Sequence, residues 1–322
     1  MMSTKTFGTT GFDVTPLCIG TSSWGPKRAG ESAEQGDARV GALADAFFDG
    51  SLGSNFIDTS NIYGDSESEV FVGQAMSRAG GLGPNRVLQT KLDRDTRNGD
   101  FDAEQMWRSL DQSLTRLGVD RLQVLYLHDP ENIGFEAAMA EGGPVSALLE
   151  MKRQGLAVSI GISGGPVGML QRFVETGLFD ALVTHNRFTL VDRSADALLA
   201  ASAARGLGVT NAAPFGAGVL TGDPRFAGSY GYAPIRPAVR ASVEAMSAAC
   251  ESFGVPLAAA ALQFSMREPR IHSTIVGASS LDRARESLDW AAAVVPDGLW
   301  PVLESLVPAA GEWLDASGRP GA

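Results

Sequence analysis

Eight short apolar runs of strand type, separated by longer stretches of helical spacing, constrain this 322-residue chain more than any other feature. They cover residues 17–20, 55–58, 87–91, 122–127, 159–162, 181–184, 208–211 and 273–276, and each is rich in β-branched or apolar residues. Such runs predict strands buried on both faces. Between them lie amphipathic stretches such as 105–117, where Met106, Leu110, Leu114 and Leu117 recur at three- and four-residue steps, the spacing of one buried helix face. Parallel strands joined by right-handed helical crossovers, eight in number, close into an α/β architecture of (β/α)8 type.

Length alone allows two ordinary domains or one large barrel. No linker, charge run or internal repeat divides the sequence, so residues 1–322 are expected to form a single barrel domain. The opening Thr6-Phe7-Gly8-Thr9-Thr10-Gly11-Phe12 predicts a β-hairpin that plugs the N-terminal end of the barrel. With 44% hydrophobic and 20% charged residues the chain lies far from the composition of disorder. Its net charge of -11, with no basic stretch, argues against nucleic acid and anionic membranes as partners. The longest apolar run, near 256–264, is too short to span a bilayer. Cys18 and Cys250 read as buried free thiols, and a reducing cytoplasm is the expected location.

Long segments follow the third, fourth and seventh strands (92–101, 129–143 and 212–237), and a barrel carries its chemistry on the loops after its C-terminal strand ends. Strand two ends at Asp58 with Tyr63 five residues on, strand three ends at Lys91, and strand four runs into His128. Each has a structural reading: Asp58 as a cap, Tyr63 as a wall residue, Lys91 as a solvated strand end, His128 as a core histidine. Together they sit on adjacent strand ends. A lysine beside a tyrosine is expected to lower its pKa, an aspartate keeps the lysine charged, and a histidine can orient a substrate oxygen. That set suits interconversion of an alcohol and a carbonyl, with the hydride carried by a cofactor.

The ordered set Asp58, Tyr63, Lys91 and His128 resembles the aldo-keto reductase superfamily over nearly the whole chain. The resemblance implies a (β/α)8 TIM barrel that binds NAD(P)(H) at its mouth, with Tyr63 as general acid or base, Lys91 and Asp58 tuning it, and His128 orienting the reacting oxygen. It further implies cofactor contacts from Gly20, Thr21, Asp58, Ser163 and Asn186, from Pro214, Phe215, Gly216, Gly218 and Leu220, and from Gly277, Ser279, Arg283 and Ser287. Trp24 and His185, with Tyr63 and His128, would meet the substrate. The C-terminal third, including 255–264, Ile275-Val276-Gly277-Ala278 and 296–300, is similar to the branch of D-threo-aldose 1-dehydrogenase, L-fucose dehydrogenase and pyridoxal 4-dehydrogenase, which oxidise a hemiacetal or the cyclic form of an aldehyde to a lactone. The implied partner is a small sugar, aldehyde or pyridoxal-like molecule, and the implied protein is a monomer or homodimer.

Departures from the family pattern bear on the cofactor. Gly277 and Ser287 stand where NADPH-selective members place Lys and Asn, which leaves Arg283 as one cation for a 2′-phosphate, so NAD or dual use of NAD and NADP is expected. Ser163-Gly164 replaces Ser-Asn, and Ala212-Ala213-Pro214 replaces a ring-stacking aromatic. Three other readings are weighed: an NADPH-dependent carbonyl reductase, a non-catalytic cofactor-binding sensor, and a serine hydrolase built on Gly161-Ile162-Ser163-Gly164-Gly165 with His272. His128, His185 and His272 show no metal-ligand spacing, so no metal site is expected.

Overall fold

The computed structural model describes residues 2–25, 28 and 30–316. Two short strands, β1 (Lys5–Thr6) and β2 (Asp13–Val14), pair as an antiparallel hairpin. Eight parallel strands then close a barrel: β3 (Leu17–Gly20), β4 (Phe56–Asp58), β5 (Val87–Leu92), β6 (Leu122–His128), β7 (Ala157–Gly164), β8 (Ala181–His185), β9 (Gly208–Ala212) and β12 (Ser273–Gly277), with β12 returning to β3. All eight apolar runs are barrel strands, and the TIM-barrel expectation holds. A small hairpin, β10 (Ser229–Tyr230) with β11 (Ala233–Pro234), lies in the long segment after β9. The segment after β6 is not bare loop either: it folds into a 3-10 turn, Pro130–Asn132, and a short helix, Phe135–Met139.

The strands form where the sequence is apolar because each is covered twice. Outward residues pack on the helix ring; Met106, Leu110 and Leu117 of the helix Ala103–Leu117 are buried there. Inward residues fill the barrel with a smaller cluster that includes Cys18, Phe56, Val124 and Tyr126. Phe7, at the hairpin turn, is fully buried and meets Phe56 edge-on at 5.4 Å, so the hairpin stoppers the N-terminal end as expected. Cys18 and Cys250 are both free and buried. Among the described residues no single helix is long and apolar enough to cross a membrane.

Inside the barrel the polar residues are linked rather than scattered. The Tyr126 hydroxyl donates to Gln89 Oε1 at 3.0 Å, and Gln89 Nε2 donates to Asp58 Oδ1 at 2.7 Å. Tyr126 fits only because β7 carries Gly161 beside it: a Cβ there would lie 2.3 Å from the Tyr126 ring and 2.7 Å from Ala181 O. Register does the rest. Asp58 pairs with Gly20 and Gln89, and His128 pairs with Ser163, so the polar strand ends arrive at one rim.

Candidate active site

The rim opens into a cavity of about 1230 Å3, larger than the roughly 300–1,000 Å3 of a drug-sized pocket. Tyr63 and His128 line one end, and Ser279, Arg283 and Ser287 line the other.

Asp58, Tyr63, Lys91 and His128 converge. Lys91 Nζ donates to Asp58 Oδ1 at 2.8 Å and to Thr59 O at 2.7 Å, both side chains being almost fully buried. The same Nζ sits 4.5 Å from the centre of the Tyr63 ring, and the Tyr63 and His128 rings meet edge-on at 5.7 Å. Tyr63 is placed by its turn. Gly64 follows at φ +59, and a Cβ on it would fall 2.0 Å from Trp24 O, so only glycine lets the turn seat against the β3 loop.

The charges depart from sequence expectation in one respect. Burial pushes the Tyr63 phenol above its ordinary value, and Lys91 offsets only part of that, so the phenol is held protonated rather than lowered toward neutrality. Burial opposes the Lys91 charge, but Asp58 outweighs it and Lys91 stays firmly cationic.

Two residues that sequence reading missed hold His128. Asp93 Oδ1 lies 2.6 Å from His128 Nδ1, and the Ser60 hydroxyl donates to Asp93 Oδ2 while lying 3.2 Å from the same Nδ1. The signal was an acidic residue two positions after Lys91 on the same strand end. Gln89, buried mid-strand, was likewise missed as the second contact of the Asp58 carboxylate.

The other expected contacts divide. Gly20, Ser163, His185, Phe215, Gly218, Gly277, Ser279, Arg283 and Ser287 line the cavity. Trp24 does not: it is fully buried and its indole donates to Ala278 O at 2.9 Å, because packing against the first barrel layer claims the ring. Thr21 is turned away and hydrogen-bonded to Ser68, while Pro214, Gly216 and Leu220 lie beneath the wall. Asn186 is buried beside His185, its Nδ2 3.0 Å from His185 Nδ1 and its Oδ1 without a partner. Burial and then Arg187 push His185 down to about 4, so it stays neutral.

Arg283 is not the lone cation at its end. Arg28 and Arg225 also line that part of the cavity, although each guanidinium is already engaged: Arg28 with Ser279, Arg225 with Asp223 and Arg283 with Glu286. Folding also brings one ligand-type atom each of Asp129, Glu131 and His185 within 4.8 Å of one another, a grouping that linear spacing concealed.

The hydrolase alternative fails on geometry. Ser163 lies at the C-terminal end of β7, whereas His272 precedes β12 at the opposite end, against Phe7. A barrel strand separates them.

The residues fit an extended dinucleotide. The cavity is large, and one part of it carries three guanidinium groups beside the N-terminus of the helix Leu281–Ala292.

Residues 16–307 match the profile of the Aldo/keto reductase family. The chain is 30% identical to L-galactose dehydrogenase from Arabidopsis thaliana over 289 residues, 88% of this chain and 86% of that protein. It is 32% identical to D-threo-aldose 1-dehydrogenase from Pseudomonas sp over 209 residues, 64% of this chain and 63% of the relative. A solved aldo-keto reductase from Bacillus halodurans, in its holo form, superposes with a TM-score of 0.77 at 19% identity, covering 98% of this chain and 99% of that one.

Proposed function

The chain belongs to the aldo/keto reductase family, and from that premise we propose that it is a dinucleotide-dependent aldose dehydrogenase, oxidising the hemiacetal carbon of a free sugar to a lactone. The observation that carries the reading is Tyr63 set between Lys91 and His128 at a cavity of about 1230 Å3, room enough for dinucleotide and substrate together. When bound, NAD(P) supplies the hydride acceptor for oxidation, or NAD(P)H the donor for reduction. The protein's own residues handle the proton and the oxygen. Oxidation releases a hydride from carbon and a proton from the hydroxyl, and Tyr63 Oη takes that proton in the small fraction of molecules in which the phenol beside Lys91 has lost its own.

Asp129, Glu131 and neutral His185 line the wall beside His128, an acceptor-rich surface that supports a hydroxyl-bearing substrate over an apolar aldehyde. For the dinucleotide we propose use of both NAD and NADP, since Arg283 is tied to Glu286.

A second reading, carbonyl reduction, is favoured by the protonated Tyr63 phenol, which is a ready acid and a scarce base near pH 7. A screen of NAD+ and NADP+ against aldoses, pyridoxal and alcohols, with aldehyde reduction in parallel, decides between them. Aldose oxidation, with Tyr63→Phe losing about 10²-fold or more of kcat/KM in a folded protein, is the expected result. Brisk aldehyde reduction with no oxidation would establish the reductase instead.

A further inference from the structure

Asp93 directly follows the strand that supplies Lys91, and these two side chains serve different partners. Lys91 lies against the Tyr63 ring, and Asp93 against His128 Nδ1. Asp93 is 2% exposed and fixed on every side. Its N–H donates to Ser109 Oγ at 3.0 Å, its carbonyl accepts from Gln105 Nε2 at 3.0 Å, and its second carboxylate oxygen accepts from Ser60. A carboxylate so held accepts the Nδ1 proton of the imidazole. A neutral ring with its proton on Nδ1 then has a bare Nε2, an acceptor, whereas the imidazolium has Nε2–H, a donor. Nε2 lies on the cavity side, 3.6 Å from Asp129 Oδ1.

We propose that Asp93, braced by Ser60, is a positioning residue that makes His128 Nε2 a two-way contact for the substrate: an acceptor toward the hydroxyl next to the one that yields its proton to Tyr63 when the ring is neutral, a donor toward the reacting carbonyl when it is protonated. The proposal rests on the oxidoreductase reading of the cavity. The groups facing the ring are Asp93 and Lys91 from the end of β5, Asp129 and Glu131 from the segment after β6, Tyr63 from the turn after β4, and neutral His185 from β8. Burial works against the imidazolium, but Asp93 and Asp129 outweigh it and hold His128 above its ordinary 6.5, with Lys91 pulling the other way.

The sign follows. Reduction draws on the protonated ring and falls as pH rises through the His128 midpoint; oxidation draws on the neutral ring and rises through the same midpoint. Asp93→Asn keeps an acceptor for Nδ1–H but removes the charge, so both limbs move to lower pH. Asp93→Ala leaves the Ser60 hydroxyl free to donate to Nδ1, which puts the neutral ring's proton on Nε2 and deprives oxidation of its acceptor.

The test pairs pH profiles of oxidation and reduction with NMR titration of the histidines, of which there are three. Expected are a wild-type His128 midpoint above 6.5 shared by both limbs, a fall of about one unit or more in Asp93→Asn (tenfold in proton affinity), and a smaller fall in Ser60→Ala. A wild-type midpoint at or below 6.5, or an unmoved midpoint and profile in folded Asp93→Asn, would overturn the proposal. Should Asp93→Asn not fold, the wild-type titration and Ser60→Ala decide by the same criteria. The titration needs no substrate: a raised midpoint that falls in the variants, in a protein that turns over nothing, would refute the oxidoreductase reading while upholding the Asp93–His128 pairing.

Discussion

Replacing Lys91 by Met keeps the aliphatic stem and removes the charge, which isolates what the buried cation does. Lys91 and Asp58 side chains are 1% and 3% exposed and 2.8 Å apart, so neither has water to fall back on. Breaking such a pair from one side costs about 3–5 kcal/mol, because the remaining charge stays buried. Gln89 still donates to Asp58, which places the expected loss toward the lower end. At about 2.1 cal/mol/K of unfolding entropy per residue, a chain of 322 residues loses roughly 1.5 °C per kcal/mol, a fall of roughly 4–7 °C in Tm. In the double variant Lys91→Met with Asp58→Asn no charge is left, and about 2 kcal/mol or more of the loss returns as coupling energy. The assay is equilibrium urea unfolding of wild type, both singles and the double, followed by tryptophan fluorescence and circular dichroism at pH 5 and 8. A single-variant loss under about 1 kcal/mol, or a double equal to the sum of the singles, would show that the pair is not the buried, mutually dependent unit described.

Two further perturbations separate the ends of the barrel. Phe7→Ala empties the stopper and should cost about 3–5 kcal/mol in unfolding measurements while leaving kcat and KM unchanged, since Phe7 lies at the end remote from Tyr63; lost activity in the folded variant would contradict that separation. Glu286→Gln releases Arg283 from its ion pair and should raise the ratio of kcat/KM for NADP+ over NAD+ by about tenfold, the scale of one charge-assisted hydrogen bond. An unchanged ratio would mean that Arg283 does not meet a 2′-phosphate.

The barrel was legible because a strand covered on both faces has to be written as an apolar run, and all eight runs were. Asp58, Lys91 and His128 stood out together, as titratable groups ending three consecutive apolar strands, although each alone had a structural reading. What stayed hidden depends on where side chains turn after the strand stops. Asp93 and Ser60 lie 35 and 68 positions from His128 in sequence, and only the closed register brings them to its Nδ1. Trp24 was expected at the substrate because the family resemblance places it there, yet an indole that reaches Ala278 O is spent on packing. The Tyr63 proton affinity was misjudged because the lysine was visible in the sequence and the degree of burial was not.

Gly161 and Tyr126 give the site a history as well as a shape. Any side chain at 161 would strike the Tyr126 ring and, even with Tyr126 shrunk, the Ala181 carbonyl, so that position is closed to every residue but glycine while β8 stays where it is. Shrinking Tyr126 first unpairs Gln89, and through it disturbs the carboxylate that anchors Lys91. A glycine on one strand is thus tied by genetic interdependence to a lysine two strands away, although the two never touch. A change at Tyr126 should therefore be felt at Lys91, while position 161 stays glycine whatever residue stands at 126.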